Sequence, residues 1–386
     1  MTSSRLLYLD NASTSWPKPE CMMDAMNKFT AEIGASSGRG AHRLAVESSR
    51  QVYLARKRAA SLLGVKDESR IVFTLNATEA LNLAIKGVLR DGDHVVATGM
   101  QHNSVVRPLR RLTTEKNVTV TYVPFERDGS FSLAKLRNEI RPNTRAIIAI
   151  HVSNAFGIVA PLSGLAELAK QRSLPLLVDG AQGLGNLSFD LGSLGVDLYA
   201  FCGHKAILGP HGTGGLYIRE GLELSPLVEG STGSESESDM QPAYLPDRFE
   251  SGTQNCLGLA GLAASADFIL SIGLEKFVRA KMRVTTHLVE KMKAIPGIEL
   301  YFTGDLENRT PILAFNVKGH DSSETAEMLD KRFGILVRAG LHCAPMAHKE
   351  AGTLERGIVR ASIGPFVKES DIDYFVECVD SISSKN

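Results

Sequence analysis

Through the first two thirds of the chain, short runs of apolar and β-branched residues alternate with segments whose apolar positions recur at helical spacing. The runs Arg70–Leu75, His94–Thr98, Val118–Pro124, Ala146–Val152, Pro175–Asp179, Leu198–Phe201 and Gly214–Ile218 read as strands. Helical patterns lie between several of them, as at Thr78–Gly87 and Leu165–Gln171. Strands that are apolar throughout are covered on both faces, and strands separated by helices join in parallel. The pattern predicts an α/β fold with a mainly parallel seven-stranded sheet flanked by helices. After about Gly258 the texture changes to a long helical stretch reaching roughly Ala294. A strand at Pro311–Val317, a helix at Ser323–Arg332 and a last helix from Ser370 follow. This reads as a smaller α+β C-terminal domain. The expected division is a large domain over 16–257 and a small one formed by 1–15 and 258–386. The Ser-, Gly- and acid-rich stretch Gly230–Asp239 reads as a surface loop.

Bulk properties narrow the function classes. A chain of 386 residues with 43% hydrophobic residues suffices for this two-part organisation. Its 43 basic and 43 acidic residues cancel, so charge offers no basis for nucleic-acid or membrane binding. No apolar run approaches the roughly 18 residues a membrane span needs. Neither an Arg-rich amphipathic leader nor a secretory apolar region opens the sequence. The five cysteines are widely spaced, with no CxxC pair to suggest a metal site. A reduced, cytoplasmic setting is the expectation.

Two strand ends carry the sharpest chemical signal. The run Leu174-Pro-Leu-Leu-Val ends in Asp179-Gly-Ala-Gln182, and the next strand ends in Cys202-Gly203-His204-Lys205. Ligands in open α/β sheets bind beyond the carboxyl ends of strands. A carboxylate after five apolar residues is buried and needs a partner; alternatively it caps the next helix. A lysine among apolar and small residues is partly desolvated and suited to act as nucleophile or base; the alternative is an ordinary surface lysine. Together the pair matches what pyridoxal phosphate requires: an amine for its aldehyde and a carboxylate for its pyridine nitrogen. Gln182 is within reach of the same ring. Asn76-Ala77-Thr78 follows a strand and opens a helix, which suits a phosphate, unless Thr78 only caps that helix. His102, after the strand ending near Thr98, is either a ring to stack on a cofactor and shuttle protons or a surface or capping residue. Asn154 is either a cofactor contact or a turn former.

The ordered set of motifs resembles the class V aminotransferase group of fold-type I pyridoxal-phosphate enzymes, within it the cysteine desulfurase and selenocysteine lyase family. The resemblance runs over nearly the whole chain. Its segments are Tyr8-Leu9-Asp10-Asn11-Ala12-Ser13-Thr14, Asn76-Ala77-Thr78-Glu79-Ala80-Leu81-Asn82, the His102 loop, Asp179 to Gln182, and Gly203-His204-Lys205. Arg248-Phe249-Glu250-Ser251-Gly252-Thr253 and Arg338-Ala339-Gly340-Leu341-His342-Cys343 complete it. It implies Lys205 as the Schiff-base lysine, His102 stacked on the ring, Asp179 at the pyridine nitrogen, and Gln182 and Asn154 at the phenolic oxygen. It implies Thr78, His204 and the Ala77 backbone at the phosphate, and Thr253 at the phosphate of a neighbouring subunit, hence a homodimer. Arg360 would hold the substrate carboxylate with Arg338 nearby. Two positions depart from the pattern: Cys202 replaces a usual Ser, and a thiol donates poorly to phosphate; Asn76 replaces a usual Gly or Ser.

Cys343 separates a desulfurase from an aminotransferase. Arg338, His342 and His348 lie close in sequence, and nearby positive charge raises a thiol's thiolate fraction; alternatively Cys343 is a small buried apolar residue. The stretch Arg338–Gly352 reads as a loop able to carry the thiol between substrate and acceptor. The resemblance implies conversion of L-cysteine to L-alanine with sulfur left on Cys343 as a persulfide, then passed to a sulfur-acceptor protein, iron–sulfur cluster assembly being one such route. A selenocysteine lyase, a cysteine sulfinate desulfinase, a class V aminotransferase and a non-catalytic binding module are the competing expectations.

Overall fold

The computed structural model describes residues 6–38, 40–304 and 309–384; residues 1–5 of the expected small-domain segment lie outside them. After the opening strand β1 (Leu7–Tyr8), the first lobe is built from α1 (Glu20–Lys28), α2 (Arg43–Leu63), β2 (Ile71–Thr74), α3 (Ala77–Val88), β3 (His94–Thr98), α4 (Asn103–Glu115) and β4 (Thr119–Val123). It continues with α5 (Leu133–Asn138), β5 (Thr144–Ile150), α6 (Leu162–Gln171), β6 (Leu176–Asp179), α7 (Leu191–Leu194), β7 (Leu198–Cys202) and β8 (Gly214–Ile218). Seven of these strands form one sheet in the order β2-β8-β7-β6-β5-β3-β4. All pairings are parallel except the two made by β8. Because β8 is antiparallel to both neighbours, β2 runs with β7. The carboxyl ends of β2, β3, β5, β6 and β7 therefore lie on one edge.

Alternate residues of each central strand enter two different cores. Val96, Ile147, Ala149, Val178 and Phe201 join the helices α2 and α6 on one face. Val95, Ala97, Ile148, Leu177 and Ala200 join α3 and α4 on the other. Burial on both faces explains why these strands show no polar alternation. The seven expected strands are all present, with no end shifted by more than two residues.

The remaining elements are α8 (Cys256–Ile272), α9 (Leu274–Lys293), β9 (Ile298–Tyr301), β10 (Ile312–Val317), α10 (Ser322–Phe333), β11 (Ile335–Leu336), β12 (Arg338–Gly340), α11 (Pro345–Glu350), β13 (Ile358–Ser362) and α12 (Glu369–Ser383). The antiparallel sheet β12-β13-β10-β9 packs on α9 and α12 through Val284, Leu288, Leu313, Phe315 and Phe375. The opening strand β1 joins this part, pairing in parallel with β11.

The long helical stretch expected from Gly258 is two helices, bent by 82° at Gly273, whose φ of 88° no ordinary side chain adopts without strain. Their faces differ: Leu259, Leu262 and Ile269 of α8 enter the first lobe's core, while Leu288 and Met292 of α9 enter the second. Among the described residues no single helix is long and apolar enough to cross a membrane. Gly230–Asp239 contains no helix or strand and is largely exposed.

One buried ion pair fixes the Arg248–Thr253 segment against the sheet. Arg56 of α2 donates to both Glu250 carboxylate oxygens at 2.7 and 2.8 Å, and the Phe73 N–H donates to the same carboxylate at 2.6 Å. Both side chains are nearly inaccessible. Removing one partner strands a buried charge, at a cost of about 3–5 kcal/mol. Glu250→Ala is expected to lower the unfolding free energy by that order in urea titration; a loss below about 1 kcal/mol, the value of an exposed pair, would contradict the assignment.

Candidate active site

Five strand ends deliver their next residues to one cavity of about 270 Å³, lined by Ala77, Thr78, His102, Ser104, Asn154, Asp179, Gln182, Cys202, His204 and Lys205, with Asn76, Leu81, Ile150, Val152 and Ala181. All the expected cofactor residues except Thr253 are brought together here. Thr253 is exposed and faces a separate cavity beside Phe249 and Glu250.

Asn76, in extended backbone, is the N-cap of α3, its side chain accepting from Glu79 N–H at 3.0 Å. Thr78 is therefore not the cap. Its hydroxyl meets Ser104 Oγ at 2.8 Å at the mouth of two helix N-termini. The φ of −174° at Asn76 suits any residue, so the departure from Gly is harmless. Cys202 is buried, and burial pushes its thiol up, while the Ala77 N–H points at its sulfur. This thiol is a poor phosphate donor, and Ser104 supplies a hydroxyl beside Thr78. Ser104, two residues after His102, was not among the expected site residues.

His102 caps α4: its Nδ1 accepts from Ser104 N–H at 3.1 Å, with Ser104 Oγ at 2.9 Å. Burial lowers its pKa, outweighing the attraction of Asp179. Accepting at Nδ1, the neutral ring carries its proton on Nε2. Asp179, 4% exposed, accepts from Ala181 N–H at 3.0 Å in the turn after β6. Behind it lie Tyr199 and His151, hydrogen-bonded at 2.8 Å.

Lys205 is half-buried in the turn after β7. The preceding residue is held by the chain's opening segment: the His204 carbonyl accepts from Ser15 N–H at 3.1 Å, Thr14 Oγ1 at 3.0 Å and Lys18 Nζ at 2.9 Å. Burial lowers Lys18 to about 8. His204 is lowered to about 4, chiefly by burial, then by Lys205. Lys18 was not among the expected site residues; only its place after the opening motif hints at it.

Arg338 and Arg360 stand opposite each other on β12 and β13. Arg360 is 1% exposed. It donates to Asp10 Oδ1 at 2.7 Å, Ser13 Oγ at 2.8 Å and the Asn154 carbonyl at 2.9 Å. Arg338 donates to Ser13 Oγ at 2.7 Å. Two guanidinium groups and one carboxylate leave one positive charge beside Asn154.

The Arg338–Gly352 stretch departs from expectation. It is strand, tight turn and helix, not a free loop. The Asn103 N–H donates to the Cys343 carbonyl at 2.9 Å, and Asn154 Nδ2 donates to the His342 carbonyl at 2.7 Å. Cys343 is exposed, whereas Cys202, Cys256 and Cys378 are buried. His342 and His348 stack behind it with ring centroids 5.9 Å apart. Burial lowers both, and Arg360 lowers His342 further. The two imidazoles are therefore neutral and do not supply the positive charge expected near the thiol.

A sheet edge that presents a carboxylate, a lysine and a helix N-terminus to one cavity defines a cofactor-binding enzyme lobe. The family model described as Aminotransferase class-V matches residues 7–375, and the chain belongs to that family. It is 36% identical to a probable cysteine desulfurase of Methanothermobacter thermautotrophicus, covering 98% of this chain and 94% of the relative. It is 30% identical to a cysteine desulfurase of Wigglesworthia glossinidia brevipalpis, covering 98% and 92%. The fold is similar to the apo cysteine desulfurase of Thermococcus onnurineus NA1, with a TM-score of 0.92, 30% identity, and coverage of 99% and 95%. The cysteine desulfurase CsdA of Escherichia coli superimposes with a TM-score of 0.88 at 27% identity, covering 98% and 94%.

His151 gives a pH prediction. Full burial lowers it to about 3. Below its ordinary value of 6.5 the unfolded chain takes up a proton that the folded chain refuses, so this residue removes stability as pH falls, by about 1.4 kcal/mol per unit at most. His151→Gln is expected to flatten the decline between pH 6.5 and 5 in denaturant titrations; an unchanged slope would contradict a neutral buried His151.

Proposed function

We propose that this chain is a pyridoxal-phosphate-dependent cysteine desulfurase that converts L-cysteine to L-alanine and leaves the sulfur on Cys343 as a persulfide. The observation that carries the reading is the exposed Cys343, tied by its own carbonyl to Asn103 and by that of His342 to Asn154, which lines the cavity holding Asp179 and Lys205.

The residues fit the cofactor. Asn154 Oδ1, Gln182 Oε1 and His204 Nδ1 are buried without a protein partner, and all three residues line the cavity. Each unpaired buried polar atom costs about 1–3 kcal/mol, and a polar ligand removes that cost. Thr78, Ser104, His204 and the α3 N-terminus would hold the phosphate. Asp179 would pair with the ring nitrogen, His102 would stack on the ring, Gln182 and Asn154 would face its phenolic oxygen, and Lys205 would be the covalent anchor. When bound, pyridoxal phosphate supplies an electron sink that acidifies the Cα–H of an attached amino acid and weakens its Cβ–S bond.

The protein groups then act in order. Arg360 and Arg338 hold the substrate carboxylate with the one positive charge Asp10 leaves uncompensated. Lys205 takes the Cα proton. The Cys343 thiolate attacks the substrate sulfur; the Cβ–S bond breaks and the carbon skeleton is reprotonated and leaves as alanine. His102, carrying its proton on Nε2, is the proton donor on the cavity side. The exposed position of Thr253, away from its own chain's cavity, supports a homodimer in which it reaches the neighbouring subunit. Exposure of Cys343 supports transfer of the sulfur to an acceptor protein.

After turnover of L-cysteine without reductant, the Cys343 peptide is expected to gain the mass of one sulfur atom. Cys343→Ala is expected to lose the persulfide and to lower alanine formation on the order of a hundredfold or more. Full activity in that variant would overturn the desulfurase reading, and full activity on selenocysteine alone would point to a lyase. Arg360→Lys, which cannot reproduce a forked contact, is expected to raise KM for cysteine about tenfold or more with the cofactor spectrum intact; an unchanged KM would remove Arg360 from carboxylate binding.

A further inference from the structure

Glu350 closes the last turn of α11, the helix that begins two residues after Cys343. Its Oε1 accepts from the Met100 N–H at 2.9 Å and its Oε2 from the Phe125 N–H at 3.1 Å. Met100 and Phe125 lie just beyond β3 and β4, adjacent parallel strands. Both oxygens are thus committed to backbone donors that no strand partner satisfies. The fit is close: a Cβ at Gly99 would stand 2.3 Å from Glu350 Oε1, so a side chain there would displace the carboxylate. Met100 itself has a φ of 55°, a left-handed backbone that needs such external support.

The two segments joined in this way carry the two groups whose separation matters for sulfur transfer. Two residues beyond Met100 is His102, and the next residue donates its N–H to the Cys343 carbonyl. At the other end, Ala344 and Ala347 seat α11 in the first lobe's core. His342 and Cys343 hold consecutive positive φ angles of 53° and 55°. Each such residue costs on the order of 1–3 kcal/mol and persists only where its surroundings over-determine it. One end of the strained turn is the β12 ladder with β13. The other is α11, and its Glu350 carboxylate is the charged group tying that helix to the His102 side of the cavity.

We propose that Glu350 is a positioning residue for the Cys343 thiol, clamping the Cys343 turn to the loop that carries His102. The proposal rests on the desulfurase reading for its consequence in turnover, and on the contacts alone for its structural content. A carboxylate is suited to the task because it offers two acceptors and no donor. Glutamine at this position would turn an NH₂ group toward one of the two N–H groups and leave that donor unpaired. Alanine would remove both contacts.

The test compares Glu350→Gln and Glu350→Ala with the parent chain, all as cofactor-loaded full-length protein. Cofactor content and KM for L-cysteine are expected to stay at the parent value. The single-turnover rate of persulfide formation at Cys343 is expected to fall on the order of tenfold to a hundredfold in the alanine variant, the scale set by displacement of a reacting group by about 1 Å, and less in the glutamine variant. Deuterium uptake over 338–352 is expected to rise. A persulfidation rate equal to the parent's overturns the proposal. So does a fall that only tracks loss of cofactor and substrate binding, as a general structural defect would give. If the parent itself forms no persulfide, the desulfurase reading has failed separately. The clamp is then decided by alkylation of Cys343 with iodoacetamide and by deuterium uptake, and values unchanged in the alanine variant overturn it.

Discussion

Polar groups withdrawn from water without protein partners set the terms for the rest of this molecule. Asn154 Oδ1, Gln182 Oε1 and His204 Nδ1 lie beyond the ends of three neighbouring strands, and the first two have their amide nitrogens fixed. Asn154 Nδ2 is committed to the His342 carbonyl, and Gln182 Nε2 to the Ala12 carbonyl at 2.7 Å. These commitments hold the side chains in place and direct the unpaired atoms to the cavity. A fold that needed only stability would have paired or removed them, since each costs about as much as a small core truncation. The cost is tolerable because the sheet behind them is buried on both faces and rigid, and because a ligand can cancel it.

The same logic distributes charge around the cavity. Burial keeps His102, His204, His342 and His348 neutral. The remaining basic groups there are Lys18 beside the His204 carbonyl, Lys205, and the Arg338 and Arg360 pair, which Asp10 half neutralises. An anionic amino acid and a phosphate-bearing cofactor both suit such a site, but at different ends: helix N-termini and hydroxyls at Thr78 and Ser104, guanidinium groups at Arg338 and Arg360. The opening segment serves both ends at once. Asp10 and Ser13 organise the arginines, while Thr14, Ser15 and Lys18 grip the carbonyl before Lys205.

The sheet and most of the cavity were legible in the sequence because the signals were strong and local. Apolar runs placed the seven strands, and residues following strand ends were read into a common crevice by topology alone. What stayed hidden depended on contacts between distant segments. The helical pattern reads α8 and α9 as one stretch and misses Gly273, where a single positive φ redirects the chain. Neutral His342 and His348 could not be anticipated, because neighbouring histidines in sequence suggest charge and only burial abolishes it. Ser104 and Lys18 stood beside recognised motifs, yet their partners Thr78 and the His204 carbonyl are remote in the chain.

The Cys343 turn shows most clearly how local reading fails. Two glycines and a proline between Arg338 and Gly352 suggest freedom, but glycine and proline mark changes of direction as readily as mobility. Here Gly340, with a φ of 99°, ends a strand, and Pro345 begins a helix at its first turn. Between them two non-glycine residues occupy the left-handed region, a costly arrangement that a mobile loop would relax. That it persists follows from what surrounds it: the Asn103 and Asn154 bonds to its carbonyls, the β13 ladder before it, and a helix seated in the first lobe's core after it. An exposed thiol on such a turn is presented by the fold at a fixed place beside the cavity. Its reactivity toward a bound substrate then depends on that placement.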